Sequence, residues 1–288
     1  MNARRRHRRI LLALGVLLLS VLPACGDDSD QTGTTSSTTT TAEDTTTTTE
    51  RPVTSQVRSY FLRDEKVGPV AREAIGPAVA RGAMEGLLQG PTEAEQELGL
   101  STTVPAGTEL LGIAIADGVA TVDLTEEFAS GGGSLSMTGR VAQVVFTLTQ
   151  FPTIGSVLFE VEGEPVTSLG GEGVEIGEPQ TRADWESLTP AILVESPLPF
   201  DEVTSPLQVT GTANTFEAVF QLNVTDGEGL IVYDEAEMAT SGTGTRGTFD
   251  VTASFEVPRP GVGSVIVFEL SAKDGSQINL VEIPVEIS

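Results

Sequence analysis

The alternation of apolar and polar positions divides the chain into a mixed first part and a strand-only second part. Val57–Arg63 is a short β-prone run, and Gly68-Pro69 breaks the stretch after it. Pro77 then sits where a helix accepts its first-turn proline. Val79, Met84, Leu87 and Leu88 trace one face of the segment that follows, and Gly90-Pro91 stops it. Two strands, Leu110–Ala116 and Val119–Leu124, flank Asp117-Gly118, a strong hairpin signal. Helical spacing returns over Met137–Leu148, with Val141, Val145 and Leu148 on one side, and Pro152 ends it. Val157, Phe159 and Val161 form a last strand. The predicted order is β-α-β-β-α-β, an α+β domain with both helices on one side of a sheet.

Beyond a Gly- and Glu-rich joint holding Trp185, helical spacing disappears. Ile192–Glu195, Leu207–Thr212, Phe216–Val224, Leu230–Tyr233, Thr248–Val257, Val265–Leu270 and Ile278–Ile287 are each β-rich and separated by turn residues. Phe216, Ala218, Phe220, Leu222 and Val224 alternate as in a half-buried strand. This spacing predicts an all-β immunoglobulin-like sandwich. The resulting organisation is a leader over 1–24, a tether over 25–56, an α+β domain over 57–166, a joint over 167–190 and a sandwich over 191–288.

The N-terminus carries a different pattern. Arginines 4, 5, 6, 8 and 9 precede an apolar run of 13 residues, Ile10–Leu22, too short to span a bilayer comfortably. Leu22-Pro23-Ala24-Cys25 follows, and the ensemble resembles the signal and lipobox of bacterial lipoproteins. Pro23 departs from the usual pattern. The resemblance implies cleavage before Cys25, lipidation of Cys25 and residence on the extracytoplasmic face of the bacterial membrane. Arg8-Arg9-Ile10-Leu11-Leu12 also fits a loose twin-arginine pattern, so the export route stays open. From Gln31 to Glu50, 12 of 20 residues are Thr, a composition that cannot bury enough apolar surface to order itself and reads as a tether.

Charge and composition narrow the function. Sixteen basic residues face 41 acidic ones, a formal −25, and removing the five leader arginines makes it −30. Nucleic-acid backbone binding, which needs clustered Lys and Arg, is not expected. The single histidine is His7 and the single cysteine Cys25. Ser-His-Asp, Cys-His and Cys/His zinc chemistry are therefore excluded from the folded part, as are disulfides. Neither Lys66 nor Lys273 completes Ser-x-x-Lys. Four tempting sites have plainer readings. Gly242-Thr243-Gly244-Thr245-Arg246-Gly247 satisfies G-x-G-x-x-G but leads into a strand, so a hairpin loop is expected. Asp123, Glu126 and Glu127 gather carboxylates that read as a strand-end turn rather than a glycosidase pair. Asp226-Gly227-Glu228 and Asp274-Gly275 lack a full calcium-loop spacing. Asn223-Val224-Thr225 is a glycosylation sequon by chance.

Several segments carry a family resemblance. Leu87-Leu88-Gln89-Gly90-Pro91, Pro105-Ala106-Gly107-Thr108, Gly118–Leu124 and Thr147-Leu148-Thr149-Gln150-Phe151-Pro152 resemble, in order, the sporulation and spore-germination domain called GerMN. Ser205–Ala213, Phe216-Glu217, Ser271–Ser276 and Val281–Val285 resemble the immunoglobulin-like domain of bacterial spore-germination proteins. The resemblance implies a non-catalytic envelope lipoprotein that contacts envelope proteins or cell-wall material, held at the membrane by its N-terminal lipid. It supplies no catalytic residue, metal or cofactor. The alternative is an extracytoplasmic binding protein for a small solute or glycan.

Overall fold

The computed structural model describes residues 53–170 and 173–288. The leader, Cys25 and most of the tether lie outside the described residues. These described residues belong to one compact unit.

It opens on a hairpin, β1 (Thr54–Arg63) and β2 (Lys66–Ile75), paired along its whole length. The sequence reading lacked β2, because Asp64-Glu65 is not a usual hairpin dipeptide and Pro69 resembles a break. Both turn residues have positive φ, 50° and 62°, the geometry of the tight turn that matches strand twist. Two residues from turn to strand place Tyr60 and Pro69 opposite each other where the strands exchange no hydrogen bond. The missing proline N–H therefore costs the ladder nothing.

Helices α1 (Val79–Leu88) and α2 (Glu93–Glu97) follow, the latter opened by a capping box between Thr92 and Glu95. Next come β3 (Leu110–Ala116), β4 (Val119–Leu124), α3 (Ser134–Leu148) and β5 (Ser156–Val161). β4 and β5 run parallel with α3 as their crossover, and β6 (Glu164–Pro165) completes a sheet ordered β3-β4-β5-β6. The α+β class stands, with two strands, β2 and β6, more than predicted and with β1–β2 forming a sheet of their own.

α3 is buried almost all round, not along one face. Its apolar residues Val141, Val144, Val145 and Leu148 lie in the core. Its polar residues Gln143 and Thr147, with Gln150 beyond its end, are spaced i, i+4, i+7 and stand in for a strand beside β1. Gln143 Nε2 donates to the Tyr60 carbonyl at 3.1 Å, and the Tyr60 N–H donates to Thr147 Oγ1 at 3.1 Å. Gln150 both accepts from the Arg58 N–H and donates to the Arg58 carbonyl, at 2.8 and 2.6 Å. An edge that would otherwise leave buried backbone groups unpaired is thereby satisfied. Arg140, 1% exposed, uses its guanidinium to stitch the loop before α3, donating to the carbonyls of Phe128, Ser130, Gly131 and Ser136 and to Ser136 Oγ.

The segment expected to be a joint is built into this first core. β7 (Ser168–Leu169) pairs with β8 (Val174–Glu175), and Leu169, Ile176, Trp185 and Leu188 are buried in the same cluster as Phe128 and Val145.

The sandwich comprises β9 (Ile192–Ser196), β10 (Glu202–Val203), β11 (Leu207–Ala213), β12 (Val219–Thr225), β13 (Ile231–Met238), β14 (Gly247–Ala253), β15 (Gly261–Leu270) and β16 (Gln277–Ile287). Its sheets are ordered β10-β16-β15-β12-β13 and β14-β11-β9. Phe220 and Phe249, one from each sheet, bring ring centroids to 4.7 Å and mark the centre of the core. β12 starts three residues later than the alternation suggested. Phe216–Ala218 is a helical turn with Phe216 56% exposed.

Candidate functional site

The two domains meet along a seam, and the strand that makes it is β9. Ile192 and Val194 face the sandwich core while Leu193, 2% exposed, joins the core of the first domain. No position of β9 is free to be polar until Glu195, and that side chain enters a buried cluster from three elements. The Tyr60 hydroxyl donates to Glu195 Oε1, and Arg182 Nη1 donates to the same oxygen at 2.9 Å. Arg182 also donates from Nε to Thr149 Oγ1 at 2.9 Å. Its guanidinium carbon stands 4.7 Å from the centroid of Phe146 and 5.4 Å from that of Tyr60. Burial alone would raise the Glu195 carboxyl. The Arg182 charge and the Tyr60 and Arg182 hydrogen bonds outweigh it and hold the carboxyl below its usual range. Burial pushes the Tyr60 hydroxyl well above the ordinary tyrosine value, so it stays a donor.

A second polar tie lies nearby. Arg246 grips Glu186 with two parallel bonds, Nε–Oε2 at 2.9 Å and Nη2–Oε1 at 3.0 Å, and Asn214 Nδ2 donates to Oε1 at 3.0 Å. Glu186 belongs to the segment before the sandwich and Arg246 to the loop between β13 and β14. Sequence reading had considered that glycine-containing loop only as a rejected dinucleotide motif. The hairpin expected there is not formed: β13 pairs with β12 and β14 with β11, so the loop carries the chain from one sheet of the sandwich to the other. Gly242 and Gly247 are there because a Cβ would come within 2.5 Å of Ala218 N and 2.3 Å of Ser241 N.

Between these ties the seam opens into a cleft of about 310 Å³. Its walls are Val67, Pro69, Leu100, Leu193, Pro197 and Leu280, with Arg63 and Lys66 at the mouth.

The other sequence candidates do not assemble into a site. The Asp123 carboxylate accepts the Gly163 N–H at 2.9 Å, and the Glu126 N–H is bonded to Glu162. Asp123, Glu126 and Glu127 contribute to none of the four cavities described among these residues. Asp226 caps the β12–β13 turn, its Oδ1 accepting from the Glu228 and Leu230 N–H groups at 3.0 Å. Asp274 caps the β15–β16 turn at the opposite end of the same sheet. Asn223 is 6% exposed on a strand flanked on both sides, which bars a glycan. Among the described residues no group of three or more His, Cys, Asp or Glu is placed to hold a metal, and no helix is long and apolar enough to cross a membrane. Sequence reasoning missed Tyr60, Arg182 and Glu195, which are far apart in the chain. The one available signal was an arginine in a segment otherwise read as spacer.

Fold and seam thus define an α+β domain welded to an immunoglobulin-like sandwich. Residues 58–167 match the family described as sporulation and spore germination, and residues 191–276 match the immunoglobulin-like domain of bacterial spore germination. The chain carries these two family domains in that order. Among solved structures it is similar to a candidate lipoprotein from Clostridium perfringens, at 23% identity over 46% of this chain and 89% of that one, TM-score 0.35. It is also similar to the first GerMN domain of the sporulation protein GerM from Bacillus subtilis, at 24% identity over 45% of this chain and 99% of that one, TM-score 0.36. The tandem GerMN domains of the same protein align at 17% identity over 69% of this chain and 61% of that one, TM-score 0.36. No curated protein matches.

Proposed function

We propose that this chain is a non-catalytic envelope protein, lipidated at Cys25 on the extracytoplasmic face of the membrane, that works by contact with envelope proteins or cell-wall material. Its relation to sporulation and germination domains is a family relation. The observation that supports a contact role is the seam. A largely buried ion-paired cluster, a second, partly exposed ion pair and a shared apolar strand hold the domains as one body, which presents surfaces in fixed relative positions. Rigid presentation lowers the ordering cost of binding. Replacing Cys25 with Ser tests the anchor: labelling with a fatty-acid analogue should vanish and the leader should stay uncleaved. Photocrosslinking in intact cells tests the contact role, with site-specific capture of a defined partner as the supporting result. Turnover of wall fragments that disappears with Glu126→Gln would replace this reading by a catalytic one.

The seam cleft favours a second reading, a site for a small ligand with an apolar body. Its volume is at the lower end of ligand pockets and its walls are largely apolar. A thermal-shift panel of wall fragments and small solutes on the native chain and on Val67→Trp, which fills the cleft, decides it. A shift in the first and none in the second supports the reading.

A further inference from the structure

Most strand edges among the described residues are guarded. β13 carries Asp234, Glu235 and Glu237, and β14 carries Asp250. β6 and β10 are two residues long, and β6 contains Pro165. β9 is covered by the first domain, β1 is closed by the polar row beside α3, and β2 carries Pro69, Arg72 and Glu73. These are the usual devices that stop a sheet from recruiting another strand. β3 has neither charge nor proline, and its bulge and its contact with α1 leave Ile115 exposed. Its sequence is Leu-Leu-Gly-Ile-Ala-Ile-Ala, seven residues without charge or proline, at the open end of the order β3-β4-β5-β6.

The hairpin geometry says which groups are free. Asp117 and Gly118 form a two-residue turn with φ of 51° and 81°, so the flanking pair Ala116 and Val119 exchange hydrogen bonds. Counting back by twos, Ala114 and Gly112 also bond to β4. Ile113 and Ile115 therefore direct N–H and C=O away from β4, and among the described residues no backbone hydrogen bond outside the β3–β4 ladder uses them. Their side chains lie on the core-facing row with Val122 and Ala120, where Ile113 packs against the core near α1 while Ile115 is 47% exposed. Leu111, the extra residue at a bulge, is 45% exposed.

Charge says what fits. Glu109 precedes the strand and Asp117 follows it. Thr125, bonded to Glu109 in both directions at 3.0 and 3.1 Å, brings Glu126 and Glu127 to the same end. None of these five residues' carboxylates, Asp123 included, has a Lys or Arg partner among the described residues. A second copy would bring a further −25 against these acidic ends, and with Ile113 at the dyad would set Glu109 opposite Asp117.

We propose that the free edge of β3 takes up an extended segment of a protein partner, apolar on the row facing Ile113 and Ile115 and basic at its ends. Backbone bonds supply the affinity and the acidic ends set register and partner choice. This rests on the contact reading above and names the surface and partner chemistry.

The test titrates full-length chain against a labelled nine-residue peptide, alternating valine and threonine between paired lysines, by fluorescence anisotropy. Saturable binding is expected. It should weaken at least tenfold when alternate peptide nitrogens are methylated, which leaves charge unchanged but removes the donors. A similar loss is expected with Ile115→Lys, whose folding is checked by circular dichroism, and with glutamates in place of the lysines. Equal binding by the methylated and unmethylated peptides would reduce the effect to charge attraction and overturn the proposal. Concentration-dependent dimerisation abolished by Ile115→Lys, with no peptide binding, would overturn it in favour of a second copy. If the peptide fails while in-cell crosslinkers elsewhere on the surface still capture a partner, the edge proposal alone falls. Capture from no position removes the contact reading as well.

Discussion

Arg182→Met should damage the seam far more than the loss of one surface ion pair. The side chains of Arg182 and Glu195 are 26% and 16% exposed, so the carboxylate left behind sits in a largely desolvated site beside the Tyr60 ring. Breaking a buried pair from one side costs about 3–5 kcal/mol. For a unit of this size each kcal/mol moves the melting temperature by about 2–4 °C, so a fall of roughly 6–20 °C is expected. Adding Glu195→Gln removes the stranded charge while keeping an acceptor for the Tyr60 hydroxyl. The double variant should therefore recover at least half of the loss, with a coupling energy of about 1.5–3 kcal/mol. Calorimetry and urea unfolding of all four proteins provide the cycle. pH supplies an independent check. In the native protein the Glu195 carboxyl is held low, so its contribution is present above the unfolded value of about 4.3 and is lost as pH falls through the folded value. In Arg182→Met the largest opposing charge is gone and only the Tyr60 hydrogen bond and the Arg58 charge still act against burial, so the carboxyl rises from its native position and the variant has less of this stability to lose in acid. The gap between the two proteins should narrow from pH 7 toward pH 4. Additivity within about 0.5 kcal/mol, or a gap independent of pH, would show that the cluster does not bind the domains together.

Four further outcomes follow from particular contacts. Arg140→Met should cost about 3 kcal/mol or more in urea unfolding, because it orphans several carbonyls of the loop before α3, and Arg140→Lys should recover only part of it. Thr147→Val should cost about 1–3 kcal/mol by leaving the buried Tyr60 N–H without an acceptor. Gly211→Ala places a Cβ 2.1 Å from the Leu193 carbonyl oxygen and should abolish β9–β11 pairing, read as loss of soluble protein or of the cooperative transition. Asp123→Asn, by contrast, keeps an acceptor for the Gly163 N–H and should stay within about 0.5 kcal/mol of native.

What the sequence made legible was whatever repeats locally. The hairpin at Asp117-Gly118, the helix ending before Pro152 and the alternating strands of the sandwich each carry their signal within a dozen residues. The misreadings share one cause, that burial is decided by distant partners. Gln143, Thr147 and Gln150 look like a solvent face until β1 is laid beside them. Pro69 looks like a break until its register with Tyr60 shows that no hydrogen bond is lost. Trp185 and Leu188 look like spacer residues until Leu193 arrives from the next domain. The polar seam was invisible for the same reason, since residues 60, 182 and 195 have no pattern in common along the chain.

The placement of positive charge ties seam and edge together. Ten Lys and Arg residues occur in the described segments. Five are committed to carboxylates, and two of those pairs, Arg182–Glu195 and Arg246–Glu186, lock the sandwich to what precedes it. Arg140 is spent on carbonyls inside the first domain, and Arg58 donates across the seam to the Glu195 carbonyl at 3.2 Å. Arg63 and Lys66 reach the carbonyls of Glu282 and Ser187, again across the seam or toward it. In a chain with 41 acidic residues, scarce cations used this way leave carboxylates elsewhere unneutralised. Glu109, Asp117, Glu126 and Glu127 are such carboxylates, and they flank the uncharged edge of β3. Holding two domains rigid and leaving β3 acidic at both ends are consequences of the same allocation. The positive charge that the edge lacks has to come from whatever binds it, and raising salt should weaken that contact while leaving the buried seam nearly unchanged.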